Sequence, residues 1–258
     1  MRAHETAIVS SGAEIAGDVV IGPHCVIDDG VKIGPGTSVQ MGAYITGDTT
    51  IGQNCQIFPY AIIGVVPQDL KFKGEKTSVV IGDDNIIREF ATVHRGTKDG
   101  SGVTRIGNNN LLMAYSHVAH DCTIGNHTVL ANAASLAGHI VIEDYAVLGG
   151  LVGVHQFVQI GTYSMTGGCS AVDRDVLPYT QAAGVRARHF GPNIVGLRRA
   201  GFSSEKIAML KEIYRLLFRA DLKRQDALAR IEEEFGEFAE ARHVIDFIRR
   251  SRRGLCSE

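Results

Sequence analysis

Aliphatic residues recur every six positions along the chain, at Val9, Ile15, Ile21, Ile27, Ile33, Val39, Ile45, Ile51, Ile57 and Ile63. The pattern resumes at Ile81, Ile87 and Val93, then runs from Ile106 to Val172, where Thr166 is the one polar residue in the series. Two positions before each stands a small or β-branched residue, such as Ala7, Cys25, Thr37 or Ala61. Glycine often follows, as at Gly22, Gly34, Gly52 and Gly64. This spacing predicts a stack of short strands, each sending one aliphatic side chain inward beside a small neighbour, with Gly or Asn at the bends between faces. Three hexads close one triangular coil, so eighteen residues raise the chain by one level. Roughly eight coils, at about 4.8 Å each, make a prism on the order of 40 Å tall.

Two stretches interrupt the period, near 65–78 and 95–105, and loops that break so regular a prism are expected to be functional. Beyond Pro178 the pattern changes completely. Ser203 or Ser204 can cap a helix carrying Ile207, Leu210, Ile213, Tyr214 and Leu217 on one face, and shorter helical patterns follow at 226–235 and 238–250. The expected organisation is therefore mainly β, a prism over 1–178, followed by a small C-terminal α-helical domain over 179–258.

Composition agrees with a narrow prism rather than a helical bundle: of 258 residues 30 are Gly, none is Trp, and 21% are charged. No apolar run is long enough to span a membrane and no signal region opens the chain, so a cytoplasmic protein is expected. Five cysteines argue against a disulfide framework. Three of them, Cys25, Cys55 and Cys122, sit at the small packing position. The net charge of -2 hides an asymmetry, because residues 1–178 hold 10 Lys+Arg against 17 Asp+Glu and residues 179–258 hold 16 against 11. The basic end suits an acidic partner, although a solvated helical surface is the readier explanation. Neither nucleic acid nor a membrane span is expected.

Eighteen-residue coils place Val118, Leu136, Val154 and Val172 in one column. His117 and His120 flank Val118, Gly138 lies one coil above His120 with His139 beside it, and His155 and Gln156 follow Val154. If the second interruption adds loop without removing a hexad, Val93 joins the column with His94, and Ile63 joins below. Five of the ten histidines then share one corner with both loops. One surface histidine signals little; five beside two loops point to chemistry. Zinc is one use. The γ-type carbonic anhydrases hold it on a hexad scaffold through a His pair five residues apart, a spacing absent here, so no metal is expected. The other use is general-base catalysis on a hydroxyl attacking an activated acyl group. Gly138 suits the oxyanion donor because its bare backbone N–H allows close approach. Asp121 can orient or charge-stabilise His120, but neighbours on a strand point to opposite faces, which ranks it below His139 and His155.

The stretches PQDLKFKGE (67–75), VHRGT (93–97), NLLMAYSHVAHDCTIGN (110–126), LAGHI (136–140), VHQF (154–157) and FIRRSRRGL (247–255) resemble the UDP-N-acetylglucosamine O-acyltransferase family of lipid A biosynthesis. The resemblance covers essentially the whole chain. It implies a left-handed parallel β-helix of hexapeptide repeats and a homotrimer with active sites between neighbouring prisms. It implies transfer of a 3-hydroxyacyl group from acyl carrier protein to the 3-hydroxyl of UDP-N-acetylglucosamine, without cofactor. By motif, His120 matches the general base, Gly138 the oxyanion donor, and Asp69 the residue that binds the acyl 3-hydroxyl. Gln68 and Lys71 match substrate contacts, and His94, His117, His139, His155 and Gln156 match the lining of the site. Asn193 and Arg199 match nucleotide and phosphate contacts, and Gly168 matches a position that limits acyl length. The resemblance also implies an acidic carrier protein docking near Arg198 and Arg199. Val195, Ala200 and the unusual GVRARHFGP (184–192) depart from well-known members. Acyl transfer to a 3-amino sugar nucleotide, the N-acyltransferase of the same pathway, a zinc hydratase and a non-catalytic scaffold remain as alternatives.

Overall fold

The computed structural model describes residues 1–258. Most strands are two residues long, as in His117–Val118 and Ser135–Leu136, and they wind through three sheets of eleven, nine and eight strands, parallel except for the last pair of the eleven-stranded sheet. In the nine-stranded sheet Val118 pairs with Leu136, Leu136 with Val154, and Val154 with Val172. Ile63 pairs with Val93 and Val93 with Val118, so both insertions leave the column unbroken. The physical reason is that each hexad must still bury its aliphatic residue; extra chain can leave only as a loop. The inward residues and their small neighbours form one continuous core of 40 buried residues.

Glycine makes fewer of the bends than the sequence suggests. The corner residue, three places after the inward aliphatic, adopts left-handed backbone. It is glycine at Gly30, Gly36 and Gly42 but Tyr60, Phe90, Tyr115, Asp121, His139 and Tyr163 higher up. Such a conformation costs a non-glycine residue about 1–2 kcal/mol. Here ring stacking from coil to coil opposes that cost. Tyr60 lies 5.2 Å from Phe90, Phe90 5.0 Å from Tyr115, and Tyr145 4.6 Å from Tyr163. The glycines that follow the inward aliphatic serve close approach instead. A Cβ on Gly34 would lie 2.7 Å from the carbonyl carbon of Gly52 in the next coil.

Residues 179–192 are not helical, contrary to expectation. Thr180–Ala183 and Arg188–Pro192 form an antiparallel hairpin that extends the eleven-stranded sheet. Alternation explains it, since Thr180 and Ala182 turn inward while Gln181 and Ala183 remain partly exposed. Four helices follow: α1 (Ile194–Arg199), α2 (Ser204–Phe218), α3 (Arg224–Phe235) and α4 (Ala239–Arg250). Ser203 is the N-cap of α2, accepting from the Lys206 amide. The helices share a second apolar cluster of 15 buried residues with Leu177 and Tyr179. No helix is long and apolar enough to cross a membrane.

Candidate active site

The chain leaves the strand His117–Val118 and turns at His120 and Asp121. At φ +60° Asp121 does not follow the alternation of a strand. The turn brings the two neighbouring side chains together, with His120 Nδ1 2.9 Å from Asp121 Oδ2. His139, ranked higher from sequence, has its Nδ1 3.9 Å from Asp121 Oδ2 and packs edge-on to His120 at 5.0 Å. His155 points elsewhere, its Nδ1 3.2 Å from the Gln156 carbonyl. Asp121 is thus the orienting partner, and the ranking from strand geometry fails because the residue sits at a corner.

The second insertion folds over this carboxylate. Thr97 donates to Asp121 Oδ2 through its hydroxyl at 2.6 Å and its amide at 3.0 Å, while Ser101 Oγ at 3.2 Å and the Gly102 amide at 3.1 Å donate to Oδ1. The Asp121 side chain is 1% exposed. Burial pulls its pKa up, but hydrogen bonds from Thr97 and His120 outweigh burial and hold the carboxyl below its ordinary value. An ionised carboxylate only accepts, so the proton of His120 sits on Nδ1 and leaves Nε2 as the acceptor.

Gly138 lies one coil above, against the same ring. A Cβ there would come within 2.5 Å of His120 Cε1 and 2.7 Å of Nε2. The Gly138 amide donates to no group within the fold, although the amides of Ala137 and His139 on either side are paired. The residue packed against the His120 ring thus carries an amide unpaired within the fold. These groups open onto a cleft of about 670 Å³ on the nine-stranded face. Its wall includes Gln68, His117, His120, Gly138, His155 and Gln156.

Around them, His117 is held by Thr92 Oγ1 at 2.7 Å from its Nδ1, and burial lowers its pKa. His94 is buried behind it, edge-on at 4.8 Å, and burial together with the nearby His117 and His120 lowers its pKa to about 4. His139 stacks on Phe157 at 4.5 Å, and burial lowers its pKa against the pull of Asp121. His120, Asp121 and His139 are the one cluster with metal-ligand geometry, their ligand atoms lying within 4.8 Å of one another. Thr97, Ser101, Gly102 and His120 already donate to both oxygens of Asp121. That disfavours it as a ligand.

A family model described as Udp N-acetylglucosamine O-acyltransferase, Domain 2, matches residues 175–256, and one for bacterial transferase hexapeptide (six repeats) matches 104–138. The chain is 51% identical over 253 residues to the acyl-[acyl-carrier-protein]–UDP-N-acetylglucosamine O-acyltransferase of Thermodesulfovibrio yellowstonii, covering 98% of each chain. The chain belongs to the UDP-N-acetylglucosamine O-acyltransferase family. The Syntrophobacter fumaroxidans enzyme of the same name is 48% identical over 256 residues, 99% of each chain. The solved UDP-N-acetylglucosamine O-acyltransferase of Moraxella catarrhalis is 44% identical, with a TM-score of 0.97 over 99% of both chains. The fold is accordingly a left-handed parallel β-helix of hexapeptide repeats with C-terminal helices.

Not every residue matched to this family by motif reaches the cleft. Asp69 lies near enough to His139 to act on its charge, while Lys71 is exposed, its amide 3.0 Å from Asp69 Oδ1. Gly168 stacks on Gly150 at the corner between the eleven- and nine-stranded sheets. Asn193 caps α1 and donates to the Tyr163 carbonyl at 2.9 Å, at the corner between the eight- and eleven-stranded sheets, and Arg199 ends that helix. Three corners of one prism hold three parts of the expected site. Thr92, Thr97 and Ser101, which hold the cleft's histidine and carboxylate, carry no sequence signal beyond the VHRGT stretch and a Gly- and Thr-rich loop.

Proposed function

We propose that the chain transfers a 3-hydroxyacyl group from acyl carrier protein to the 3-hydroxyl of UDP-N-acetylglucosamine, the first step of lipid A biosynthesis, with His120 as general base. The observation that carries this reading is the Asp121–His120 pair packed against Gly138, whose amide is unpaired within the fold. His120 Nε2 takes the proton of the sugar hydroxyl as its oxygen attacks the thioester carbonyl. The Gly138 N–H stabilises the resulting oxyanion. Asp121 stabilises the imidazolium. Collapse expels the carrier thiolate, which takes the proton from His120. The step needs no metal, and the acceptors of Asp121 are committed elsewhere. Gln68, His117, His155 and Gln156 bind the reactants in the cleft, with Asp69 and Lys71 acting from the loop above it.

Asn193 and Arg199 lie by the corner opposite the cleft's face, so they can serve such a cleft only from a neighbouring copy, whereas Gly168 borders the nine-stranded face itself. This favours a homotrimer with its sites between prisms. Under this reading the β-prism of 1–178 supplies the chemistry and the 179–258 region the carrier-protein and nucleotide contacts, in the cytoplasm. The test is a mass-spectrometric product assay with 3-hydroxyacyl donors of several lengths, against UDP-N-acetylglucosamine and its 3-amino analogue. Wild type should form the O-acyl product and His120→Ala should form none while remaining folded and oligomeric. Near-normal turnover by His120→Ala would remove the base assignment.

A further inference from the structure

We infer that a concavity beside the upper end of the catalytic cleft is a phosphate subsite made by Arg174, Arg186 and Arg188, an inference that rests on the acyltransfer reading above. A concavity of about 590 Å³ is lined by these arginines with Val185, Ala187 and Ser257. Asp173 lines both this concavity and the cleft, so the two are neighbours with one wall residue in common. The segment that supplies Arg186 and Arg188 is tied over the cleft's last rung, with the Ala171 amide donating to Gly184 O at 3.0 Å and the Ala187 amide to Ala171 O at 2.8 Å. Ala187 is buried, and the alternation of an extended chain sends the arginines on either side outward.

The charge is unbalanced. Asp173 is the one carboxylate present, and it faces Arg186 at 3.4 Å; Arg174 and Arg188 have no ion-pair partner. Arg253 adds a further guanidinium beneath, donating to the Asp173 backbone carbonyl at 3.0 Å. Planar guanidinium forks in a concave site match phosphate oxygens. Both reactants carry phosphate: the sugar nucleotide as a diphosphate, the acyl donor as the phosphodiester of its phosphopantetheine arm.

The test variant is the double Arg174→Gln, Arg188→Gln, which leaves His120 and Gly138 untouched. Charge-assisted hydrogen bonds of this kind predict a rise of about 10-fold or more in the KM of one reactant, with kcat within about twofold. Calorimetry with UDP and with pantetheine 4′-phosphate identifies the source, because weakened binding of the first assigns the diphosphate and of the second the donor arm. Unchanged affinity for both overturns the subsite. So does loss of oligomeric state, which would make the arginines interface residues, or an equal loss with carrier protein lacking its arm, which would assign them to carrier carboxylates. Failure of wild type to turn over any acyl donor would instead remove the functional reading.

A different observation carries a second inference: the structure assigns Thr97 as a positioning residue for the Asp121–His120 pair. Its hydroxyl and amide both donate to the oxygen that His120 meets. Gly100 passes so close that a Cβ would overlap the carboxylate, which explains the glycine content of the loop. Thr97→Val removes only the hydroxyl. It should lower kcat about 10- to 100-fold with KM values unchanged. The bare carboxylate would favour the imidazolium, so the acid limb of the pH profile should move to higher pH. Thr97→Ser should restore both. A merely structural threonine would change thermal stability alone, and a valine variant with wild-type kcat and acid limb would overturn the assignment while leaving the His120 reading intact.

Discussion

Gly138→Ala isolates geometry from hydrogen bonding, because alanine keeps the backbone N–H. The backbone of Gly138 is not in the left-handed region, so alanine meets no conformational penalty there. Its methyl group would sit 2.5 Å from His120 Cε1, 2.7 Å from Nε2 and 3.0 Å from Nδ1. Carbon contacts become favourable at about 3.5–4.0 Å, so the ring must retreat by roughly 1 Å. It has little freedom to do so, being held by Asp121 at 2.9 Å on one edge and packed against His139 at 5.0 Å. Tilting the ring displaces Nε2 from the attacking hydroxyl. A displacement of about 1 Å costs on the order of 100-fold in rate, equivalent to about 2.7 kcal/mol of barrier. Steady-state turnover with a 3-hydroxyacyl carrier-protein donor and UDP-N-acetylglucosamine should show this loss in kcat, while melting temperature moves by only a few degrees. A kcat within twofold of wild type would refute the claim that this glycine fixes the base, and would leave Gly138 as an oxyanion donor alone.

Three further outcomes follow from the same structure. His189 accepts from the Leu177 amide at Nε2 (3.0 Å) with its Nδ1 3.0 Å from Cys256 O, and burial lowers its pKa to about 4. Its contribution to stability is full above the unfolded value of about 6.5 and is lost as pH falls toward 4, by about 3 kcal/mol. Urea titrations at pH 7, 5.5 and 4 should show His189→Gln to be less stable at pH 7 but less acid-sensitive than wild type; equal pH slopes would contradict this. Gly52→Ala should cost about 1–3 kcal/mol, since its Cβ would lie 2.6 Å from the Gly82 backbone, whereas Gly153→Ala, with open space around it, should be near neutral. Comparable melting temperatures for the two variants would refute the close-approach role of the hexad glycines. Dialysis against a chelator should leave turnover unchanged, and a loss restored by zinc would overturn the metal-free mechanism.

The histidine corner was legible because register in this fold is additive. Each hexad buries one side chain, so counting by eighteen places His120 under Gly138 and carries Val93 and Ile63 into the same column, whatever length of loop intervenes. Counting does not reach the corners themselves. The rule that neighbours on a strand diverge holds for His117 and Val118, but not for His120 and Asp121, where left-handed backbone folds two adjacent side chains toward each other. The same conformation places His139 against Phe157 and Tyr145 against Tyr163, pairs that no inward periodicity marks. The hairpin at 180–192 escaped for a related reason: its alternation is short and sits beside strong helical signals. A stacked prism makes its faces nearly identical from coil to coil, so faces alone cannot specify a unique site. Corners and the loops that leave them can, because only there does the backbone let neighbouring residues act on one another. The acid that orients the base is therefore the residue next to it in sequence, and the loop that satisfies that acid departs from the same corner one coil below.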